Sequence, residues 1–147
     1  MTPDDVTLIA ELRRDEGVEY IPYLDTVDVR TVGVGHNLTA KPIPLGWTYP
    51  LTDAQVNQLL SDDLKTVFDG LDARIPWWRN LCYPRQRVLA NMAFNLGVPG
   101  LMGFNNTLAA VKQGRYSTAG AGMAASKWAD QVGARADRLV DMMVNSP

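Results

Sequence analysis

Seven apolar residues, Val56, Leu59, Leu60, Leu64, Val67, Phe68 and Leu71, recur at the three- and four-residue spacing of one helix face. Thr52 and Gln55 precede them as a capping box, in which each side chain satisfies a backbone N–H near the helix start. A stripe of that length must be covered along its whole extent, so the chain has to supply a core beside one long helix. Most of the remaining sequence meets that demand with more helix. Pro84 opens a segment ended by Gly97, and Val88, Leu89, Ala90, Met92, Ala93, Phe94 and Leu96 leave it little polar face. That is the pattern of a buried central helix. Shorter helices are expected near 106–113, 118–128 and 134–144. A first helix is expected from Thr2 as N-cap, with Pro3 at its first position, Val6, Ile9 and Leu12 on its inner face, and Gly17 as its stop.

Residues 18–38 have a different character. Tyr20 to Leu24 reads as extended chain, and Arg30 to His36 alternates as a strand. A turn near Thr26-Val27-Asp28 makes them a small hairpin, and Lys41 to Pro50, with four prolines or glycines, is expected to be an irregular loop. The expected class is therefore α+β: mostly helical, with a small N-terminal antiparallel sheet and a long helix bridging to a helical C-terminal lobe. All 147 residues fit one domain. Its expected parts are a sheet-containing lobe at about 16–60 and a helical lobe at about 61–147 that includes the N-terminal helix.

Several function classes drop out. The net charge is −2, without the basic stripe of a nucleic-acid binder, so no nucleic-acid partner is expected. Arg85-Gln86-Arg87 reads as the solvated first turn of a helix. Cys82 is the only cysteine and His36 the only histidine, too few soft ligands for a zinc cluster within the chain, and no glycine-rich phosphate loop follows a strand. No cofactor or metal is called for. No apolar run is long enough to span a bilayer, and the first residues lack a secretory signal, so no stable membrane insertion and folding in a cytoplasm are the expectations. Nothing suggests more than a monomer.

Glu16 breaks a local rule. It ends the first helix, where exposed carbonyls carry partial negative charge and disfavour an ionised acid, and Asp15 stands beside it. Arg13 and Arg14 offer a purely structural compensation, so the helix end alone leaves a solvated surface pair as an open reading. The strand adds a second feature. Val32 and Val34 share one face, while Thr31, Gly33 and Gly35 share the other, a floor low enough for a ligand or another backbone to approach. A turn centred on Asp28 puts Asp25 across from Thr31, above that floor. A glycine-rich ribbon packed under a loop is the structural alternative. Two carboxylates facing a sugar-sized groove suit glycoside hydrolysis, with Glu16 as the protonated acid and Asp25, on a solvated hairpin, as the ionised partner. Thr31 offers its hydroxyl to a water.

Glu16-Gly17, Asp25, Thr31 and Gly33-Val34-Gly35-His36, with Leu38-Thr39 after them, closely resemble the motif of the T-even bacteriophage lysozymes, glycoside hydrolase family 24. The likeness continues through Asn91 to Gly97, Gly103 to Leu108, and Ser126-Lys127-Trp128 to Arg135-Ala136, with Ala40 to Pro50 as its weakest part. The resemblance implies a lysozyme-like fold and an endolysin that hydrolyses the β-1,4 bond between N-acetylmuramic acid and N-acetylglucosamine with inversion. Its partner is then the peptidoglycan glycan strand. By the same resemblance Glu16 is the general acid, Asp25 the carboxylate that activates or positions water, and Thr31 the residue that helps hold it. Arg135 then pairs with the acid, His36 pairs with Asp63 in a structural role, and Asn37, Phe94 and Thr107 line the substrate groove. Such an enzyme waits in the host bacterial cytoplasm until it is released to the wall.

The chain departs from the family in three places. Asp28 stands where relatives often carry a turn glycine, and aspartate tolerates the left-handed conformation such a turn needs. The net charge is slightly acidic where several relatives are basic, and Gly122 replaces a polar groove residue. A lytic transglycosylase acting on the same bond needs the acid but not the Asp25/Thr31 pair. A non-catalytic wall-binding module needs neither, and a cysteine hydrolase built on Cys82 and His36 is disfavoured by the apolar setting of Cys82, which reads as a buried packing residue.

Overall fold

Eight α-helices, a turn of 3-10 helix and one small antiparallel sheet make up the computed structural model, which describes residues 1–147. This is the α+β class expected. The chain divides into two compact units, Met1–Thr66 and Val67–Pro147, with the division falling inside α2 (Asp53–Arg74).

The first unit holds α1 (Val6–Glu16), β1 (Glu19–Leu24), β2 (Arg30–Gly33), β3 (His36–Asn37) and the start of α2. Helix α1 begins later than Thr2. The backbone N–H of Asp5 closes a turn onto the Thr2 carbonyl, and the Asp5 carboxylate then accepts the Leu8 N–H at 2.9 Å. A carboxylate caps a helix better than a threonine hydroxyl, and Asp5 takes the role. The other end is as expected: Gly17 stops the helix at φ 75°. In α2 the capping box forms in both directions, Thr52 N–H to Gln55 Oε1 at 2.9 Å and Gln55 N–H to Thr52 Oγ1 at 3.1 Å. Every residue of the apolar stripe is buried. Burying side chains of this size contributes on the order of 1.5–3 kcal/mol each, far more than the cap.

The strand expected over Arg30 to His36 is two strands. Gly33 and Gly35 both take positive φ, 68° and 62°, so the chain reverses at Val34-Gly35 and β3 returns along β2. The sheet order is β1-β2-β3. Pro22, which has no N–H to give to a ladder, lies on the edge strand β1, where the pairing is irregular between Glu19 and Tyr23. The register also differs from the one expected. Thr31 faces Tyr23, not Asp25, while Asp25 bonds through its backbone N–H to the Val29 carbonyl at 3.0 Å. The turn between them is held by Asp28 at φ 61°, the left-handed conformation aspartate tolerates.

His36 is almost completely enclosed, at 2% exposure. Its Nδ1 lies 2.7 Å from Asp63 Oδ2 and its Nε2 lies 2.7 Å from the Lys41 carbonyl. A carboxylate and a carbonyl can only accept, so both ring nitrogens donate and the ring is the imidazolium. Burial works against that charge, but the bonds to Asp63 and Lys41 outweigh it and hold His36 above its ordinary value. A raised folded-state value means that the stabilisation is complete below the unfolded imidazole range near ~6.5. It is lost as pH rises through the folded value. The expected result is an unfolding midpoint, measured by calorimetry, that declines as pH rises above about 6.5. Asp63→Asn is expected to flatten or reverse that decline, and parallel profiles for the two proteins would refute the linkage.

The second unit continues α2 and adds a 3-10 turn at Trp78–Asn80, α3 (Tyr83–Leu96), α4 (Val98–Met102), α5 (Asn105–Lys112), α6 (Tyr116–Ala124), α7 (Lys127–Val132) and α8 (Ala134–Asn145). Helix α3 packs against α4 and α8, and α6 against α5 and α8. The single helix expected near 118–128 is broken at Ser126, whose hydroxyl accepts the Ala129 N–H and starts α7 afresh. Helix α4 was not among the expected helices; it starts directly after Gly97, with Pro99 in its first turn, where proline is tolerated. Arg85 is not solvated. It is 5% exposed, lies 3.4 Å over the Tyr116 ring, and donates to the Met143 and Ser146 carbonyls at 2.8 and 2.9 Å. A cation there answers the negative C-terminal end of α8. Cys82 is half-buried rather than buried, with Arg85 donating to its Sγ at 3.4 Å. No helix is long and apolar enough to cross a membrane.

Candidate active site

Glu16 is the last residue of α1, and its carboxyl is laid over the β2–β3 turn. A Cβ built on Gly35 would fall 2.7 Å from Glu16 Oε1 and 2.9 Å from Cδ. Gly35 is thus kept bare for this chain's own acid, while Gly33 turns toward Val56. The two arginines beside it are engaged elsewhere: Arg14 Nε donates to Asp15 Oδ1 at 3.0 Å, and Arg13 to Asn57 Oδ1 at 3.1 Å.

Asp25 leaves the end of β1 and organises the hairpin turn around itself. Its Oδ1 accepts the backbone N–H groups of Val27 and Val29 at 2.9 and 2.8 Å. Two such donors fix the carboxylate in place, and they occupy one oxygen only. Thr31 is buried at 4% exposure, and its hydroxyl donates to the Val29 carbonyl at 2.9 Å. Having given its one proton away, Thr31 Oγ1 presents only lone pairs to anything beside it.

The register sets a third group in this site that the sequence reading passed over. Tyr23, Thr31 and Asn37 are successive cross-strand partners in β1, β2 and β3, so their side chains share one face of the sheet. Burial pushes the Tyr23 phenol above its ordinary value, and the negative charges of Glu16, Glu19 and Asp25 push it further. Both carboxylates therefore act on one phenol. The signal was present in the sequence, since Tyr23 stands two residues before Asp25 at the spacing that shares a strand face. Asn37 spends its side-chain oxygen on its own turn, accepting from Thr39 and Ala40 N–H at 2.9 and 3.0 Å. His36 and Asp63 form the enclosed pair on the opposite face of the sheet.

In the second unit, Arg135 is buried and donates its Nε–H to Asn91 Oδ1 at 3.0 Å. Phe94 is half-buried on α3. Thr107 is buried on α5 and, with Phe104, Asn106 and Gly122, lines a shallow pocket of about 360 Å³. A Cβ on Gly122 would meet Thr107 Oγ1 at 2.5 Å, so the missing side chain there gives Thr107 its place. A neighbouring pocket of about 430 Å³ is walled by Phe104 and Trp128, whose rings meet edge to face at 6.1 Å. The Trp128 indole N–H is fixed by Asn95 Oδ1 at 2.8 Å.

Comparison with known proteins adds an independent line. The family profile described as Phage lysozyme matches residues 13–142. The chain is 28% identical over 162 aligned residues to the pre-baseplate central spike protein Gp5 of Enterobacteria phage T4, across 92% of this chain and 27% of that protein. It is 56% identical over 52 residues to the SAR-endolysin of Enterobacteria phage P21, across 35% of this chain and 29% of that protein. A probable T4-type lysozyme 2 of Dictyostelium discoideum is 22% identical over 152 residues, covering 89% of each chain. The aligned part thus spans under a third of the spike protein and of the SAR-endolysin.

Proposed function

Because this chain belongs to the phage lysozyme family, we propose that it is a peptidoglycan hydrolase that cuts the β-1,4 bond between N-acetylmuramic acid and N-acetylglucosamine. The observation that supports this most is geometric: the Glu16 carboxyl lies over Gly35 in the turn that ends β2, the strand that carries Thr31 and pairs with β1 through the turn Asp25 organises. Glu16 acts as the general acid and passes its proton to the glycosidic oxygen as the bond to the sugar carbon breaks. A water donates one hydrogen to Asp25 and the other to the lone pairs of Thr31, which leaves its own lone pair for the sugar carbon. As the new C–O bond forms, Asp25 takes the first of those protons. The product has a free reducing end and the inverted anomer. Thr31 suits this task because a hydroxyl already committed as a donor cannot compete for the water's lone pairs. Asn37 on the first unit, and Phe94 and Thr107 on the second, are the residues assigned to glycan binding, and Arg135 is assigned a supporting role within the second unit.

The setting proposed is host lysis, with the enzyme reaching the wall from the bacterial cytoplasm as a monomer. The spike-protein alignment over 92% of the chain favours one other setting, a wall-cutting unit carried on a phage particle. Detection of the chain in purified particles rather than in the soluble lysate decides between them.

Product chemistry tests the reaction. Digestion of purified peptidoglycan is expected to release muropeptides with reducing N-acetylmuramic acid ends, read by mass spectrometry. Anhydro-muropeptides from the wild type would instead mean a transglycosylase, with no role for Asp25 and Thr31 in holding water. NMR of the first-formed anomer tests inversion.

A further inference from the structure

The proposed chemistry accounts for two of the water's four tetrahedral directions through Asp25 and Thr31, and for a third through attack on the sugar. The fourth is undefined, and a water free to turn about its two donated bonds spends little time in the attacking orientation. One group on this face is suited to fill that direction. Tyr23 on β1 stands directly opposite Thr31 on β2, and Asp25 follows two residues later, just past the end of β1, where its N–H to the Val29 carbonyl continues the register. Cross-strand partners and residues two apart on an extended strand project to the same side.

The Tyr23 side chain is half-buried, and its hydroxyl makes no hydrogen bond within the protein. A phenol buried to that extent ordinarily has a partner, because an unmade hydrogen bond there costs free energy. The neighbouring polar groups are already committed: Thr31 to Val29, one Asp25 oxygen to Val27 and Val29, and Asn37 to its own turn. The charged groups acting on Tyr23 are Glu16 from α1, Glu19 from the start of β1 and Asp25 from its end. Burial, and after it these acids, hold the phenol above its ordinary value, so it keeps its proton and remains a donor.

We propose that Tyr23 is a positioning residue whose hydroxyl donates a hydrogen bond to the nucleophilic water, completing its coordination by Asp25 and Thr31. The phenol keeps its proton throughout. The water's proton goes to Asp25 and the Glu16 proton to the leaving oxygen, so Tyr23 adds orientation and no step to the balance. This inference rests on the hydrolase reading above.

Tyr23→Phe removes the hydroxyl and keeps the ring, and it leaves no internal bond broken, so the unfolding midpoint should stay near that of wild type. Initial rates of reducing-end release from purified peptidoglycan, taken over a range of substrate concentrations, separate kcat from KM. The expected result is a kcat lower by about ten- to a hundredfold with KM unchanged. In an Asp25→Asn background, where the water is no longer held, the same change should lower the residual rate far less. Packing alone would give neither outcome, since phenylalanine restores the packing. A Tyr23→Phe enzyme with wild-type kcat, or with its loss in KM, overturns the assignment, as does an equal loss in both backgrounds. Glu16→Gln assayed alongside keeps the two readings apart. An inactive Glu16→Gln beside a fully active Tyr23→Phe sinks the Tyr23 assignment alone, whereas an active Glu16→Gln sinks the hydrolase reading itself.

Discussion

Glu16→Gln is expected to abolish the clearing of permeabilised bacteria while leaving the protein folded. The amide has the shape of the carboxyl, so it can lie over Gly35 as Glu16 does. What it cannot do is give a proton to the glycosidic oxygen. Loss of a general acid costs about 10²- to 10⁴-fold, and the leaving group here is a sugar alkoxide that departs poorly without a proton. Turbidity loss should therefore fall to the level of buffer over an ordinary assay. The same preparation should show the wild-type circular dichroism spectrum and bind wall fragments as wild type does. Binding without cleavage separates the acid's role from that of a recognition residue. Clearing at the wild-type rate would remove Glu16 from the chemistry.

The features that were legible beforehand share a physical cause, which is that they are decided over a few residues. The Thr52/Gln55 box needs three intervening positions and nothing else, and it forms as read. The stripe from Val56 to Leu71 follows from helix periodicity alone. Gly17 ends α1 because a helix stop is a local backbone event. Glu16 could be singled out for the same reason, as an acid at the wrong helix end.

What was not legible depended on where remote pieces meet. The register of β1 on β2 is set jointly by the turn that Asp25 and Asp28 build and by the irregularity before Tyr23. A count from a presumed turn centre missed it by placing Asp25, rather than Tyr23, opposite Thr31. That error hid the phenol. Arg85 shows the same limit for a single side chain: its partners are 58 and 61 residues away, and no local rule distinguishes it from a solvated arginine. The glycine pair was recognised as a low floor, but its occupant was left open between a ligand and a packed loop. Over Gly35 the occupant is Glu16, whereas Gly33 faces Val56.

Gly35→Ala is the change expected to reach the chemistry without touching a reacting atom. Two effects combine at this position. The backbone sits at φ 62°, where an alanine costs about 1–2 kcal/mol. The new methyl would also fall 2.7 Å from Glu16 Oε1, closer than a carbon can stand, so the acid must move. A displacement of ~1 Å from the productive geometry can cost ~100-fold in rate, and a loss of that order in kcat is expected. Gly33→Ala supplies the comparison, because Gly33 leads into the same turn at φ 68° and its Cβ would meet only the Val56 methyls, at an ordinary 3.6 and 3.9 Å. The backbone strain is therefore matched and the push on Glu16 is absent. Both variants should melt a few degrees below wild type, at ~2–4 °C per kcal/mol for a chain of this size. Only Gly35→Ala should lose its activity. Equal losses would mean that strain in the turn, rather than the place of the Glu16 carboxyl, carries the effect. A fully active Gly35→Ala would mean that the acid works from somewhere other than its seat over this glycine.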